Sequence, residues 1–313
     1  MLEVNSLTVH YYTRRGIVRA VSNVSFTLDR SEILSICGES GCGKTTLGLA
    51  LMKLLPQNAK IIGGSILLNG RNILSLNEDE LSNIRWSQIS MIFQGAMNAL
   101  NPVKRIGDQL IEPLIIHGKF SKEEALEKAK ELLKLVGIDP IRINSYPHTL
   151  SGGMKQRALI AMALICSPKV VIADEPFTAL DVMTQAQIIE LLKELREKLK
   201  LSIILITHDL AIASELATKI MIMYAGRVVE YGWREDICEN PLHPYTQRLI
   251  KAIPSLSSKT TVLESIPGTP PSLINMPEGC SFNPRCPLVL NECRWKEPIL
   301  REIDGRYVAC HRV

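Results

Sequence analysis

The 313-residue sequence predicts an α/β fold with a parallel core sheet, because three short apolar runs each end in residues suited to phosphate or metal chemistry. Glu32 to Cys37 runs into Gly38-Glu39-Ser40-Gly41-Cys42-Gly43-Lys44-Thr45, Val170 to Ala173 runs into Asp174-Glu175, and Ile203 to Ile206 is followed by His208. Runs of this length fit strands buried on both faces, and α/β sheets present their ligands at the carboxyl ends of such strands.

Before the first of these strands, the apolar alternation of Leu2 to Val9, repeated later in Ser65 to Asn69, predicts an antiparallel β flank. The loop that follows fits G-x-x-x-x-G-K-[ST]. In it the backbone N–H groups around Gly38, Ser40, Gly41, Cys42, Gly43 and Thr46 cradle phosphates, Lys44 reaches the β and γ phosphates, and the Thr45 hydroxyl binds Mg²⁺. Thr46 to Met52 predicts the helix this motif requires, stopped by Pro56, and its N-terminus adds partial positive charge where the phosphates would lie. Next comes the apolar run Met91 to Phe93, after which the amide of Gln94 is placed to coordinate Mg²⁺ and an attacking water.

From about 95 to 160 the pattern turns helical. Ser121-Lys122-Glu123-Glu124 is a capping box, and Ala125, Leu126, Ala129, Leu132, Leu133 and Val136 form one apolar face before Gly137. Leu150-Ser151-Gly152-Gly153-Met154-Lys155-Gln156-Arg157 then opens an apolar helix running from Ala158 to Ile165, with hydroxyl and N–H donors at its start. At the end of the second core strand, Asp174 is placed to hold Mg²⁺ through water and Glu175 to act as the general base that polarises it. Ile188 to Leu199 reads as an amphipathic packing helix, and His208 closes the third strand.

Taken in order, the phosphate loop, Gln94, Leu150 to Arg157, Val170 to Glu175, Ala179-Leu180-Asp181 and His208 resemble the nucleotide-binding subunit of ABC transporters over about the first 235 residues. The resemblance implies a P-loop ABC ATPase fold in which two subunits sandwich two ATP molecules. Ser151, Gly152, Gly153 and Gln156 would then serve the partner's ATP. It also implies that Gln94 lies in a loop sensing a transmembrane partner, that His208 is a switch on the γ phosphate, and that Asp181 contacts the paired subunit. Tyr11 or Tyr12 would stack on adenine, the register being blurred by Thr13 to Ile17. Gly95-Ala96 stands where the family places an acidic residue and proline, and Phe177 where Thr or Ser is common.

Beyond residue 235 the composition shifts, with 10 of the 17 prolines at or after Pro241. Residues 1–235 are therefore read as the ATPase domain and 236–313 as a cysteine-rich extension. Cys280, Cys286, Cys293 and Cys310 are separated by five, six and sixteen residues. In a reducing compartment four clustered thiols favour metal over disulfides, and their spacing alone suits either Zn²⁺ or an iron–sulfur cluster. Pro241-Leu242-His243-Pro244-Tyr245-Thr246, with the run from Cys280 to Pro287, resembles the extension of oligopeptide and dipeptide importer ATPases. That resemblance implies a [4Fe-4S] cluster, with His243 explained by packing.

Cys166 and Cys238 read as small hydrophobes, and Cys37 ends a core strand. Cys42, at a helix start, is expected to have a stabilised thiolate that ATP protects from alkylation.

A net charge of +4 spread through interspersed acidic and basic residues argues against a nucleic-acid partner. No apolar run approaches the ~20 residues of a membrane span, and the N-terminus lacks the charged and apolar regions of a signal peptide. The expectation is thus a peripheral subunit on the cytoplasmic face of the membrane. It would work with a second ABC ATPase subunit, two permease subunits and an extracytoplasmic solute-binding protein, and power peptide import. Import of an oligosaccharide, opine or nickel is the alternative within transport. A soluble ABC ATPase outside transport would need paired ATPase halves or a long coiled coil, which this sequence lacks.

Overall fold

The computed structural model describes residues 1–95, 99–118, 120–253 and 266–313. Ala96 lies outside the described residues. In chain order the elements begin with β1 (Leu2–Thr13), β2 (Gly16–Leu28), β3 (Ile33–Cys37), α1 (Lys44–Leu51), β4 (Ala59–Leu68) and β5 (Arg71–Asn72). There follow α2 (Glu78–Ile84), β6 (Ile89–Ile92), α3 (Ile106–Gly118), α4 (Lys122–Leu135), α5 (Gly152–Leu164), β7 (Val170–Asp174), α6 (Val182–Leu199) and β8 (Ser202–Thr207). The chain then forms α7 (Leu210–Leu216), β9 (Lys219–Tyr224), β10 (Arg227–Trp233), α8 (Arg234–Glu239), α9 (Pro244–Lys251), β11 (Arg301–Ile303) and β12 (Arg306–Val308). Two compact units result, one of Met1–Leu28, Ile33–Leu74 and Ile206–Val313, the other of Asp29–Glu32 and Ser75–Leu205.

The first unit contains the expected antiparallel flank, a sheet of order β2-β1-β4-β5. Thr13 to Ile17, which blurred the sequence register, is the tip of the β1–β2 hairpin, with Tyr11 opposite Val18 and Tyr12 opposite Ile17. A second set of strands runs β11-β12-β10-β9-β3. β3 pairs with β9 in parallel, whereas β10 is antiparallel to both β9 and β12, so the core sheet is mixed rather than purely parallel. Every residue of β3 is buried, as a strand covered on both faces requires.

Cys37, Leu210, Ile220, Ile222 and Tyr224 share one hydrophobic core with Tyr245 and Phe282 from the proline-rich segment. Fully burying a side chain such as Phe282 contributes roughly 1.5–3 kcal/mol, so this segment takes part in stabilising the unit.

In the second unit the strand order is β8-β7-β6, with β6 and β7 parallel and β7 buried throughout. Its helical part begins where the sequence predicts. The Ser121 hydroxyl accepts the Glu124 N–H and the Glu124 carboxylate accepts the Ser121 N–H, closing the capping box of α4. Ala125, Ala129 and Leu133 are its buried stripe. α6 starts six residues before the expected helix, at Val182, because the Asp181 carboxylate accepts the Thr184 N–H at 2.9 Å and caps it. Among the described residues no helix is long and apolar enough to cross a membrane.

Candidate functional site

In the first unit the candidate site is the loop between β3 and α1. Gly43 sits at the N-cap of α1 with φ 104°, where a Cβ would lie 2.0 Å from the Ala20 carbonyl oxygen, so only glycine closes this turn against β2. Lys44 is 6 % exposed, and its ammonium donates to the carbonyls of Gly38 (2.6 Å) and Glu39 (3.0 Å). The loop therefore holds its own cation in place with main-chain dipoles. The hydroxyls of Tyr11 and Thr46 lie 3.2 Å apart, which places Tyr11 beside the start of α1. Tyr12, its neighbour on β1, faces the other way and stacks under the Lys60 ammonium at 5.7 Å. His208 follows β8 and is exposed, while Asp209 accepts the Ala211 N–H at 2.8 Å and caps α7.

Cys42 departs from expectation. It is 4 % exposed, and burial pushes its thiol pKa up despite the Lys44 ammonium 3.8 Å away. Desolvation outweighs the helix start, so the thiol is protonated and poorly reactive. Cys37 is buried likewise and pushed up to about 12. His243 is buried with its pKa pushed down to about 3, and its Nδ1 accepts the Tyr245 N–H, capping α9. Packing accounts for it, as read from the sequence.

In the second unit Asp174 ends β7 at 1 % exposure and Glu175 follows in the left-handed region, at φ 49°. A non-glycine residue held there costs of order 1–3 kcal/mol, and such conformations cluster at functional sites. Gln94 lies in the turn after β6 and is exposed. Ser151 caps α5, its hydroxyl accepting the Met154 N–H at 3.3 Å, and stays exposed, with Gly152 and Gly153 partly so. Gln156, by contrast, is 2 % exposed. Asp181 is exposed, and hydrogen bonds from the Thr184 hydroxyl and N–H hold its carboxyl below the usual range.

The four tail cysteines share one neighbourhood. Cys280 donates its N–H to the Cys293 carbonyl at 2.9 Å, and burial pushes the Cys280 thiol up to about 11, with Cys293, Cys310 and Cys286 adding to the effect. Yet among the described residues no group of three or more His, Cys, Asp or Glu is arranged to hold a metal ion. Cys280 and Cys286 instead pack against the core of Tyr224, Tyr245 and Phe282, as protonated, weakly polar thiols do.

Sequence reasoning missed Glu39 and Arg285, which form a close ion pair in the first unit. Nothing local signals it, since the partners are 246 residues apart in sequence.

Residues 21–178 match the family described as "ABC transporter", and residues 229–293 match "Oligopeptide/dipeptide transporter, C-terminal region". The chain is 48 % identical over 314 residues to the "Oligopeptide transport ATP-binding protein OppD" of Salmonella typhimurium, covering all of this chain and 93 % of that protein. It is 47 % identical over 312 residues to the "Dipeptide transport ATP-binding protein DppD" of Lactococcus lactis subsp. cremoris, covering 99 % and 89 % respectively. A solved structure titled "Dimeric Structure of MJ0796, a Bacterial ABC Transporter Cassette" superposes with a TM-score of 0.67 at 31 % identity, covering 75 % of this chain and 99 % of that one.

Proposed function

The chain belongs to the ABC transporter family of ATP-binding subunits, and from that premise we propose that it hydrolyses ATP to drive import of di- or oligopeptides. The observation that carries the reading is the presence, in one chain, of a closed phosphate loop and the C-terminal region shared with oligopeptide and dipeptide transporters.

We assign the roles as follows. Lys44 and the N–H groups of Gly41 to Thr46 bind the phosphates, and Tyr11 rather than Tyr12 stacks on adenine, supported by its hydroxyl beside Thr46. Glu175 takes a proton from the water that attacks the γ phosphorus as the bond to the β–γ bridging oxygen breaks. His208 steadies the γ phosphate. Thr45 and Gln94 would hold Mg²⁺ by their side-chain oxygens and Asp174 through water, an all-oxygen set this hard cation favours. When bound, Mg²⁺ neutralises charge on the phosphate oxygens. Ser151, Gly152, Gly153 and Gln156 serve the ATP of a second ATPase subunit, and Asp181 meets that subunit. Two permeases and a solute-binding protein complete the transporter. The chain works peripherally, on the cytoplasmic face of the membrane. Residues 1–235 form the ATPase domain and 236–313 the extension.

The tail thiols have the donor chemistry of a [4Fe-4S] cluster, and their shared neighbourhood supports assigning it to Cys280, Cys286, Cys293 and Cys310. Protein purified without oxygen should then absorb broadly in the visible and carry iron and sulfide. Zinc instead, or no metal, would remove the cluster and leave the ATPase reading intact.

The function is tested by reconstituting the chain with permeases in vesicles. ATP-dependent uptake of a labelled peptide, abolished by Glu175→Gln, is the expected result. ATP hydrolysis with no peptide uptake would point to another solute.

A further inference from the structure

We propose that Arg285 of the C-terminal extension is a positioning residue for the phosphate loop, acting through Glu39. The inference rests on the reading of that loop as the ATP site. Glu39 is the loop's second residue and every polar group it has is engaged within the first unit. Its carboxylate receives both terminal nitrogens of Arg285, at 2.6 and 2.9 Å. Its N–H donates to the Tyr245 hydroxyl at 3.0 Å, and its carbonyl receives the Lys44 ammonium at 3.0 Å and the Cys42 N–H at 3.3 Å. One residue thus joins two side chains of the extension to the lysine and turn that meet phosphate.

Arg285 is held rigidly enough to do this. Its side chain is 5 % exposed, its Nε donates to the Pro267 carbonyl at 2.9 Å and its Nη2 to the Ile266 carbonyl at 3.3 Å. Nη1 also reaches the Tyr224 hydroxyl at 3.3 Å, with the guanidinium 5.8 Å from that ring's centre. A planar fork fixed on one side by carbonyls and on the other by a carboxylate allows the loop little freedom. Burying a guanidinium is costly unless it is paired and hydrogen-bonded, and here the pair is a residue of the phosphate loop itself. Arg285 immediately precedes Cys286, so a change at that thiol acts next to the brace.

The test measures equilibrium binding of MgATP to the full-length chain, with thermal melting in parallel. Arg285→Met should weaken binding by ~5- to 30-fold, the middle of the ~2- to 150-fold range expected for groups coupled in one network. Arg285→Lys, which keeps the charge but not the fork, should fall between this variant and the unaltered chain. Glu39→Gln should lose about as much as Arg285→Met, and the double variant no more than either single one. Unchanged MgATP affinity in Arg285→Met with a lowered melting point would overturn the proposal and make the residue purely structural. Should Arg285→Met not fold, unchanged affinity in Glu39→Gln overturns it equally. Lys44→Ala in the same assay separates the two readings: retained affinity there would sink the ATP-loop assignment itself, while loss there with retention in Arg285→Met sinks only the brace.

Discussion

Replacing Gly43 with alanine should destabilise the chain well beyond the same change at Gly41, although both glycines lie in one loop at positive φ, 104° and 79°. The left-handed conformation costs an alanine roughly 1–2 kcal/mol at either position. At Gly41 the new methyl meets nothing within 4 Å, so that cost is the whole of it. At Gly43 the methyl lies 2.0 Å from the Ala20 carbonyl oxygen, a backbone atom that moves only if β2 moves, which adds about 1–3 kcal/mol of overpacking. Melting of both variants without nucleotide isolates the difference, because neither value then depends on phosphate contacts. At about 2–4 °C per kcal/mol, Gly43→Ala should melt some 2–12 °C below Gly41→Ala. Equal midpoints would refute the close approach of the loop to β2.

Glu175→Gln should slow ATP hydrolysis by ~10²- to 10⁴-fold while sparing ATP binding, and unchanged turnover in a steady-state assay would remove Glu175 as the base. Tyr11→Ala should weaken MgATP binding by ~5- to 150-fold, the worth of one base–aromatic stack, with Tyr12→Ala near the unaltered chain; the reverse order would exchange their roles. His243, pushed down to about 3 by burial, is neutral in the folded chain, whereas the unfolded chain protonates it near 6.5. Its contribution is therefore complete above pH 6.5 and lost as pH falls towards 3, about 2 kcal/mol by pH 5. Glu230, which accepts the His243 N–H and faces Arg306, is pushed up by burial and acts in the opposite sense, losing stability as pH rises above its ordinary value. His243→Asn, which keeps a capping acceptor, should flatten the loss between pH 6.5 and 5 in urea titrations; an unchanged slope would assign that loss to other groups.

What the sequence made legible was local. The capping box of Ser121 and Glu124 spans four residues and took the expected form because neighbouring residues decide it, and the eight-residue phosphate loop was legible from its glycines and lysine. α6 began earlier than its apolar face suggested, since Val182 and Met183 are exposed and only the Asp181 cap marks the start. Cys42 was misjudged because its burial is set by the folded unit and not by its place at a helix start. Which tyrosine faces α1 depended on the β1–β2 register, and the tie between Glu39 and Arg285 spans nearly the whole chain. Pairings of that range leave no period or spacing in a sequence.

The C-terminal hairpin places β12 against β10 and β11 outside it, as three-residue strands bearing Arg301 and Glu302 at the border of the sheet. Beneath them run Val228 to Gly232, all buried. Short, charged border strands are how proteins deny a free row of main-chain donors and acceptors to their neighbours. A chain shortened before Arg301 would offer that row to a second molecule, and strand-to-strand self-association would compete with folding. The hairpin from Arg301 to Val308 thus covers the border of the sheet beside β10, whatever else the extension does.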